Sequence, residues 1–287
     1  MNSSILATVM RSGYASLQDK GRRGWLHQGV PPGGWMDPYS AQMALKLCGD
    51  LSANAVVIEA AGPGLDLRME TSTWVGIAGA DAVEGLPSWQ GHRLSKGQRL
   101  RLVQADFGQW TYLAFSCGIE ANKWLGSASV NPTAGIGRLL QKGDLLAPSE
   151  TTGQPGWSPI NKRILASQYL PDFQSPLTLE LWPAPQTDWF GKTGLDALCA
   201  GNWHISPDSN RMGIRLNGKA LRVPSRSLAS EPVRVGTIQV PPNGQPIVMG
   251  PDGPTVGGYP KIGWLAPESL AHLAQRKAGQ SVQFSFR

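Results

Sequence analysis

The chain has few cysteines, modest charge and no long apolar run. Its three cysteines, Cys48, Cys117 and Cys199, lie far apart in 287 residues, which excludes a small disulfide-stapled scaffold and indicates buried thiols in a reducing compartment. No apolar stretch reaches the roughly 20 residues of a membrane-spanning helix. The N-terminus also lacks the basic start and apolar core of a signal peptide. We therefore expect a cytoplasmic protein without a membrane partner.

Metal-binding and nucleotide-binding motifs are also missing. The histidines are scattered without the spacing of metal ligands, so no metal site is predicted. They are His27, His92, His204 and His272. The tripeptide Gly191-Lys-Thr193 resembles the end of a phosphate loop, but Gln186 occupies the position of the required earlier glycine. We expect an ordinary loop there.

Positive charge exceeds negative charge only modestly, with Lys+Arg 26 against Asp+Glu 20 and a net charge of +6. The densest basic stretch runs from Arg211 to Arg234 and has no interleaved aromatic ladder of the kind that single-stranded nucleic acid requires. We predict no nucleic-acid partner. The stretch indicates a solvated face, or a few cations that bind a small anionic substrate.

The chain is rich in turn formers, with Gly 35 and Pro 23, which favours many short strands over long helices. Two helices are predicted, one from Asp37-Pro38 to Gly49 and one from Pro267 to Gly279. The fold class is therefore mainly β with a few short helices. The predicted strands are residues 73–77, 99–103, 111–115, 177–182, 237–240, 246–249 and 281–286.

A proline-rich segment from Ala147 to Pro176 separates two halves of the chain. We predict an N-terminal domain over residues 1–165 and a C-terminal domain over residues 166–287. A short internal repeat, Val-Pro-Pro-Gly-Gly at 30–34 and Val-Pro-Pro-Asn-Gly at 240–244, favours related halves.

The densest pattern of polar and turn-forming residues runs from Glu231 to Lys261. Proline and glycine fix unusual backbone angles there, which is typical of a barrel corner or of a ligand site. A second compact segment carries Arg211 and Arg215, which could clamp a carboxylate if the chain is extended. The alternative is that Arg211 forms a salt bridge with a neighbouring loop. His27 lies in a glycine-rich loop and either transfers a proton or bonds to a loop carbonyl.

These segments together resemble one family, which includes the C subunit of bacterial 5-oxoprolinase, the second subunit of allophanate hydrolase and an antagonist of a sporulation-kinase inhibitor. The chain is also similar to the carboxyltransferase part of urea amidolyase. The matching segments run in order along the chain. They are Gln18–Arg22, Gly29–Pro31, Met36–Asp37, Leu125–Ser127, Gly137–Asp144, Asp188–Phe190, Ser209–Gly213, Glu231–Val233, Gly236–Pro242, Gly244–Val248 and Gly257–Ile262.

The resemblance implies two cyclophilin-like β-barrel domains and an activity that opens 5-oxoproline to glutamate at the expense of ATP. It implies B and A partner subunits and a small-molecule amide substrate. The chain shows no nucleotide loop, so we expect ATP to bind at a site shared with those subunits. The sequence departs from the family pattern at Pro32-Gly33-Gly34 and at Ala128, which affects the substrate more than the fold.

The resemblance and the chemistry of an amide substrate together suggest roles for the candidate residues. Lys261 with Tyr259 would stabilise negative charge on an amide or phosphoryl oxygen. Asp37 and His27 are candidates for proton transfer. The candidate substrate-binding residues are Arg211 and Arg215 for a carboxylate, Gln239, Gln245 and Thr255 for ring hydrogen bonds, and Gly257 and Gly258 for close backbone approach.

Two other functions are compatible with the same sequence. One is a biotin-dependent carboxyltransferase that acts on urea or a related amide, with biotin carried on another protein because no Met-Lys-Met carrier segment occurs here. The other is a non-enzymatic regulator that binds an inhibitor protein.

Overall fold

The structure is a computed structural model that describes residues 5–49, 55–149 and 163–287. The chain forms two compact units. The first contains Met1–Arg22 and Gly33–Asp172, and the second contains Arg23–Pro32 and Phe173–Arg287. Much of the proline-rich connector lies outside the described residues, and the division at residues 165 and 166 stays a prediction.

The first unit is a seven-stranded sheet with one helix. The strand order is β4-β3-β6-β2-β1-β7, and β5 pairs with β2. All pairs within the sheet are antiparallel. The elements are β1 (Ala7–Gln18), α1 (Pro38–Cys48), β2 (Val57–Met69), β3 (Thr73–Gly79), β4 (Gln90–Leu94), β5 (Arg99–Arg101), β6 (Trp110–Phe115) and β7 (Leu145–Leu146).

The helix α1 begins and ends where the sequence predicts. The Asp37 carboxylate accepts a hydrogen bond from the backbone N–H of Ser40 at 3.0 Å, Pro38 occupies the first turn, and Gly49 ends the helix in the left-handed conformation. The helix packs on β3 at Gly76, where a Cβ would collide with the carbonyl oxygen of Ala44. Glycine at position 76 therefore allows the helix to lie directly on the sheet.

The second unit is a closed barrel with the strand order β10-β13-β12-β15-β8-β16-β9, beside a separate two-stranded sheet formed by β11 and β14. Its interior is filled by apolar side chains such as Leu179, Trp203 and Ile238, all fully buried. The elements are β8 (Leu177–Trp182), α2 (Gly191–Ala200), β9 (Trp203–Ile205), β10 (Gly213–Asn217), β11 (Glu231–Pro232), β12 (Thr237–Gln239), β13 (Ile247–Met249), β14 (Val256–Gly257), β15 (Lys261–Leu265), α3 (Pro267–Ala274) and β16 (Ser281–Phe286).

The mainly β class with barrel architecture is confirmed, with a closed barrel in the second unit and a curled half-barrel sheet in the first. Two local predictions are wrong. The segment at Gly191 begins α2 instead of forming a loop. The helix α3 ends at Ala274, short of Gly279, which lies in the turn before β16 with φ of 85°. No helix in the described part of the chain is long and apolar enough to cross a bilayer.

Candidate functional site

A β-bulge in the barrel of the second unit aligns four side chains on one face of two strands. On β12 and β15, Thr237 pairs with Trp264 and Gln239 pairs with Lys261, with a register shift between the two pairs. Thr237 and Gln239 share a face because side chains alternate along a strand. The extra residue, Ile262, turns Lys261 to the same face as Trp264. Re-aiming of this kind is characteristic of bulges beside functional sites.

Neighbouring side chains hold the bulge in place. The Thr187 hydroxyl donates to the carbonyl oxygen of Ile262 at 2.8 Å and accepts from the backbone N–H of Ala184 at 2.7 Å. The side-chain carbonyl of the buried Gln186 accepts from the backbone N–H of Lys261 at 3.4 Å. The backbone around Lys261 is therefore fixed by side chains from the preceding 3-10 turn, Thr187–Phe190, and its flank.

Lys261 is a buried cation with one carboxylate partner. Its side chain is 4% exposed and its Nζ donates to Oε1 of Glu231, whose side chain is 31% exposed. Glu231 lies on β11, opposite Gly257 on β14. A buried ammonium needs such a partner because its desolvation is costly. The two-stranded sheet thus carries the counter-ion to the barrel strand.

Two buried polar atoms beside Lys261 have no hydrogen-bond partner among the described residues. They are the hydroxyl Oγ1 of Thr237 and the amide Nε2 of Gln239, and their residues are 0% and 3% exposed. The Gln239 amide lies against Gly257, where an added Cβ would be 2.6 Å from Nε2. Buried polar groups in proteins are normally satisfied. Two orphans on one face indicate a place where a ligand or water supplies the missing bonds.

An open cleft of about 320 Å³ lies over this face. Its walls are mainly apolar, and its polar groups are Lys261, Glu231, Thr237 and Arg234. The guanidinium of Arg234 stacks on the ring of Trp264 at 3.7 Å from the ring centroid. The lining residues, all from the second unit, are Leu26, Pro185, Glu231, Pro232, Val233, Arg234, Thr237, Lys261 and Trp264. The volume and mixed lining suit a small molecule with a polar carbonyl and an anionic group.

The structure brings together several of the residues predicted from the 231–261 segment. Lys261, Gln239 and Gly257 lie in contact or in register around the cleft face. Thr255 is buried, and its backbone carbonyl accepts from the N–H of Val233 at 2.9 Å. Tyr259 is 45% exposed, just before β15. The roles assigned to these residues stay predictions.

Other predicted residues are occupied elsewhere in the second unit. Gln245 uses both ends of its amide on the backbone of Gly218, at 2.9 and 3.0 Å. Arg211 forms a buried two-point ion pair with Asp252 at 2.7 and 3.0 Å. Arg215 is exposed on β10. The geometry favours the ion-pair alternative for Arg211 over a carboxylate clamp.

Asp37 and His27 belong to different units, so the structure does not describe them as one site. Asp37 caps α1 and bonds to Ser40 through both the backbone and the hydroxyl. His27 is exposed in the short 3-10 turn Leu26–Gln28, and its Nε2 lies 3.3 Å from Nε2 of Gln28. His27 directly follows Leu26, which lines the cleft. Proton transfer by either residue stays a prediction.

Sequence reasoning missed four contributors to the cleft, namely Glu231, Arg234, Thr237 and Trp264. Alternation within Thr237-Ile-Gln239 was the available signal, because an apolar residue between two polar ones marks a strand with one polar face. In the part of the chain that the structure describes, no group of three or more His, Cys, Asp or Glu residues could hold a metal ion.

The Gln18–Arg22 motif forms a buried polar network in the first unit. The carboxylate of Asp19 accepts from the backbone N–H groups of Gly21 and Ala128, at 2.8 and 2.7 Å, and from the Ser127 hydroxyl. The Gln18 amide donates to the carbonyl oxygen of Val130 at 2.8 Å. Here the motif ties the end of β1 to the loop that contains residues 127–130.

The fold and the cleft define a class of β-barrel proteins with a buried lysine at the edge of a small-molecule site. The family description "Carboxyltransferase domain, subdomain A and B" matches residues 28–286. The chain belongs to this carboxyltransferase domain family. It is 35% identical to the C subunit of 5-oxoprolinase from Escherichia coli (strain K12), covering 96% of this chain and 89% of that protein.

Further relatives show the range of the family. Urea amidolyase of Saccharomyces cerevisiae is 28% identical, covering 98% of this chain and 16% of that protein. The crystal structure of TTHA0988 superimposes with a TM-score of 0.87 at 30% identity. It covers 98% of this chain, which spans only 56% of the TTHA0988 chain. The K. lactis urea amidolyase structure, at 23% identity and a TM-score of 0.87, shares the fold over 99% of this chain and 19% of that chain.

Proposed function

We propose that this chain is the C subunit of an ATP-dependent 5-oxoprolinase and that the Lys261 cleft holds the cyclic amide. The observation that supports this most is the placement of a buried ammonium beside two orphaned polar atoms on one cleft face. The 35% identity with the E. coli protein, which is named as a 5-oxoprolinase component, gives this face its substrate class.

The chemistry of a lactam matches the groups on that face. A lactam is a poor electrophile because resonance stabilises it, and its opening places negative charge on the carbonyl oxygen. In this proposal Lys261 Nζ and Gln239 Nε2 donate hydrogen bonds to that oxygen, and Thr237 Oγ1 accepts one from the ring N–H. Held this way, the carbonyl carbon is polarised for attack, and its orientation is fixed by three groups.

The described residues do not fit a nucleotide. The Gly191-Lys-Thr193 segment begins α2 and follows the 3-10 turn Thr187–Phe190, so it lacks the strand and glycine-rich loop of a phosphate site. We therefore assign ATP, as a co-substrate, to a site formed with the B and A subunits. We derive no step of the reaction through it on this chain.

The proposed compartment is the cytoplasm. The three cysteines are free thiols, with Cys48 buried and Cys117 and Cys199 partly buried. Free thiols at all three positions suit a reducing compartment, where glutathione keeps thiols reduced.

A second function is supported by the family itself. The carboxyltransferase description and the urea amidolyase relatives favour transfer of a carboxyl group from carboxybiotin to a urea-like amide. The same face would polarise the urea carbonyl. In this alternative biotin arrives on a separate carrier, since this chain contains no carrier segment.

The test is release of glutamate from 5-oxoproline and ATP by this chain co-expressed with the A and B subunits, compared with the A and B subunits alone. We expect release that depends on this chain. Absence of release, together with urea carboxylation in a parallel assay with carboxybiotin, would replace the first function by the second.

A further inference from the structure

Arg234 is a cation at the cleft rim whose charge is not neutralised. It is exposed, and its guanidinium stacks on the ring of Trp264 at 3.7 Å. Among the described residues, no carboxylate lies within ion-pairing distance of it. The stacking holds the flat face of the guanidinium and leaves its N–H edges available. Arginine in this state is suited to two-point recognition of a carboxylate.

The backbone fixes Arg234 beside the polar face. The carbonyl oxygen of Arg234 accepts from the N–H of Thr237 at 3.1 Å, which closes a four-residue turn. Gly236 occupies the third position of this turn with φ of 80°, as glycine allows. Arg234 and Thr237 are therefore held at the two ends of one turn, and Trp264 pairs with Thr237 across the strands.

The charges of the cleft separate two roles. Lys261 and Glu231 neutralise each other at the floor, while Arg234 gives the cleft a net positive charge at the rim. The other arginine predicted to bind a carboxylate and found buried, Arg211, is paired with Asp252. Arg234 is thus the lining cation with capacity for an anion from outside.

We propose that Arg234 binds the carboxylate of the substrate and selects cyclic amides that carry an α-carboxylate over neutral amides. This rests on the proposed function and specifies its substrate class. The lactam ring would lie between Arg234 and the Lys261 face, with its amide toward Lys261. A neutral amide such as urea would leave Arg234 unused.

The experiment compares two ligands that differ only in the carboxylate. In the assembled complex, the KM for 5-oxoproline and the inhibition constant of 2-pyrrolidinone are measured for wild type, Arg234→Gln and Arg234→Lys. Arg215→Gln is the matched control, because Arg215 is exposed in the same unit and does not line the cleft. We expect Arg234→Gln to raise the KM about 10- to 100-fold, as loss of a charge-assisted pair predicts. The inhibition constant of 2-pyrrolidinone should change less than twofold, and Arg234→Lys should recover part of the KM. An equal change for both ligands would show that Arg234 only supports the cleft wall, and an unchanged KM would also overturn the proposal.

A binding measurement separates this proposal from the proposed function. Ligand-observed NMR on the full isolated chain reports binding of 5-oxoproline and of 2-pyrrolidinone without any reaction. If the assembled complex releases no glutamate, the oxoprolinase function fails. Preference of the wild-type chain for the carboxylate-bearing lactam, lost in Arg234→Gln, would then still support Arg234. Equal binding of the two ligands by the wild type would overturn it.

Discussion

The Lys261–Glu231 pair predicts an asymmetric response to substitution. The Lys261 side chain is 4% exposed and that of Glu231 is 31% exposed. The Glu231→Gln variant therefore leaves an ammonium buried without its counter-ion. In Lys261→Met, an apolar chain of similar length fills the space, and the carboxylate of Glu231 can turn toward water.

The magnitudes follow from these exposures. Breaking a fully buried pair costs about 3–5 kcal/mol, and partial exposure of Glu231 reduces the expected loss for Glu231→Gln to about 2–3 kcal/mol. Lys261→Met should cost about 1 kcal/mol or less, because a carboxylate that reaches solvent loses little. The double variant should resemble Lys261→Met, since no buried charge remains.

The assay is guanidinium chloride unfolding, combined with hydrogen exchange at the amides of β12 and β15. Exchange at these strands separates the second unit from the first, which a single global transition does not do. A larger loss for Lys261→Met than for Glu231→Gln would refute the reasoning. So would a double variant less stable than either single one.

Three further predictions concern single side chains. Thr237→Val should keep or raise the melting temperature, because the buried hydroxyl has no partner, but should raise the KM for the amide roughly tenfold in steady-state assays; a loss of stability would contradict this. Tyr112→Phe should cost about 1–3 kcal/mol in thermal unfolding. Its hydroxyl accepts from the N–H of Asp37 at 2.7 Å and donates to Glu59 at 2.8 Å, and burial raises its pKa well above the usual value, so it stays a donor; an unchanged melting temperature would contradict this. Gly257→Ala should lower kcat/KM roughly tenfold with a melting temperature within a few degrees of wild type, because the new Cβ displaces the Gln239 amide; full activity would remove that amide from the site.

Strong local signals made much of the fold predictable. Asp37, Pro38 and Gly49 set both ends of α1, and apolar segments with flanking turns located strands such as 177–182 and 281–286. The helix α2 was missed because it begins with glycine and its N-cap residue, Phe190, makes no capping hydrogen bond through its side chain. The long strands β1 and β2 contain glycines at shifts in register, and such positions look like turns in a sequence.

The candidate site was predictable only where the residues are close in sequence. Gln239, Gly257 and Lys261 lie within one dense segment, and the fold keeps them together. Arg211 was assigned a ligand because its partner, Asp252, is 41 residues away and its burial leaves no mark in the sequence. The bulge at Ile262 was equally hidden, since it depends on pairing with β12. Without it, the shared face of Lys261 and Trp264 cannot be inferred.

The most direct test of the cleft is glutamate release by the assembled complex that carries Lys261→Met. Lys219→Met is the matched control, because Lys219 is an exposed lysine of the same unit outside the cleft. Gel filtration shows that both variants assemble with the partner subunits. We predict that Lys261→Met lowers kcat/KM for 5-oxoproline at least about 100-fold, as loss of one preorganised donor to a developing oxyanion does, while Lys219→Met keeps wild-type activity. Wild-type activity in an assembled Lys261→Met complex would contradict the assignment of this cleft to the amide.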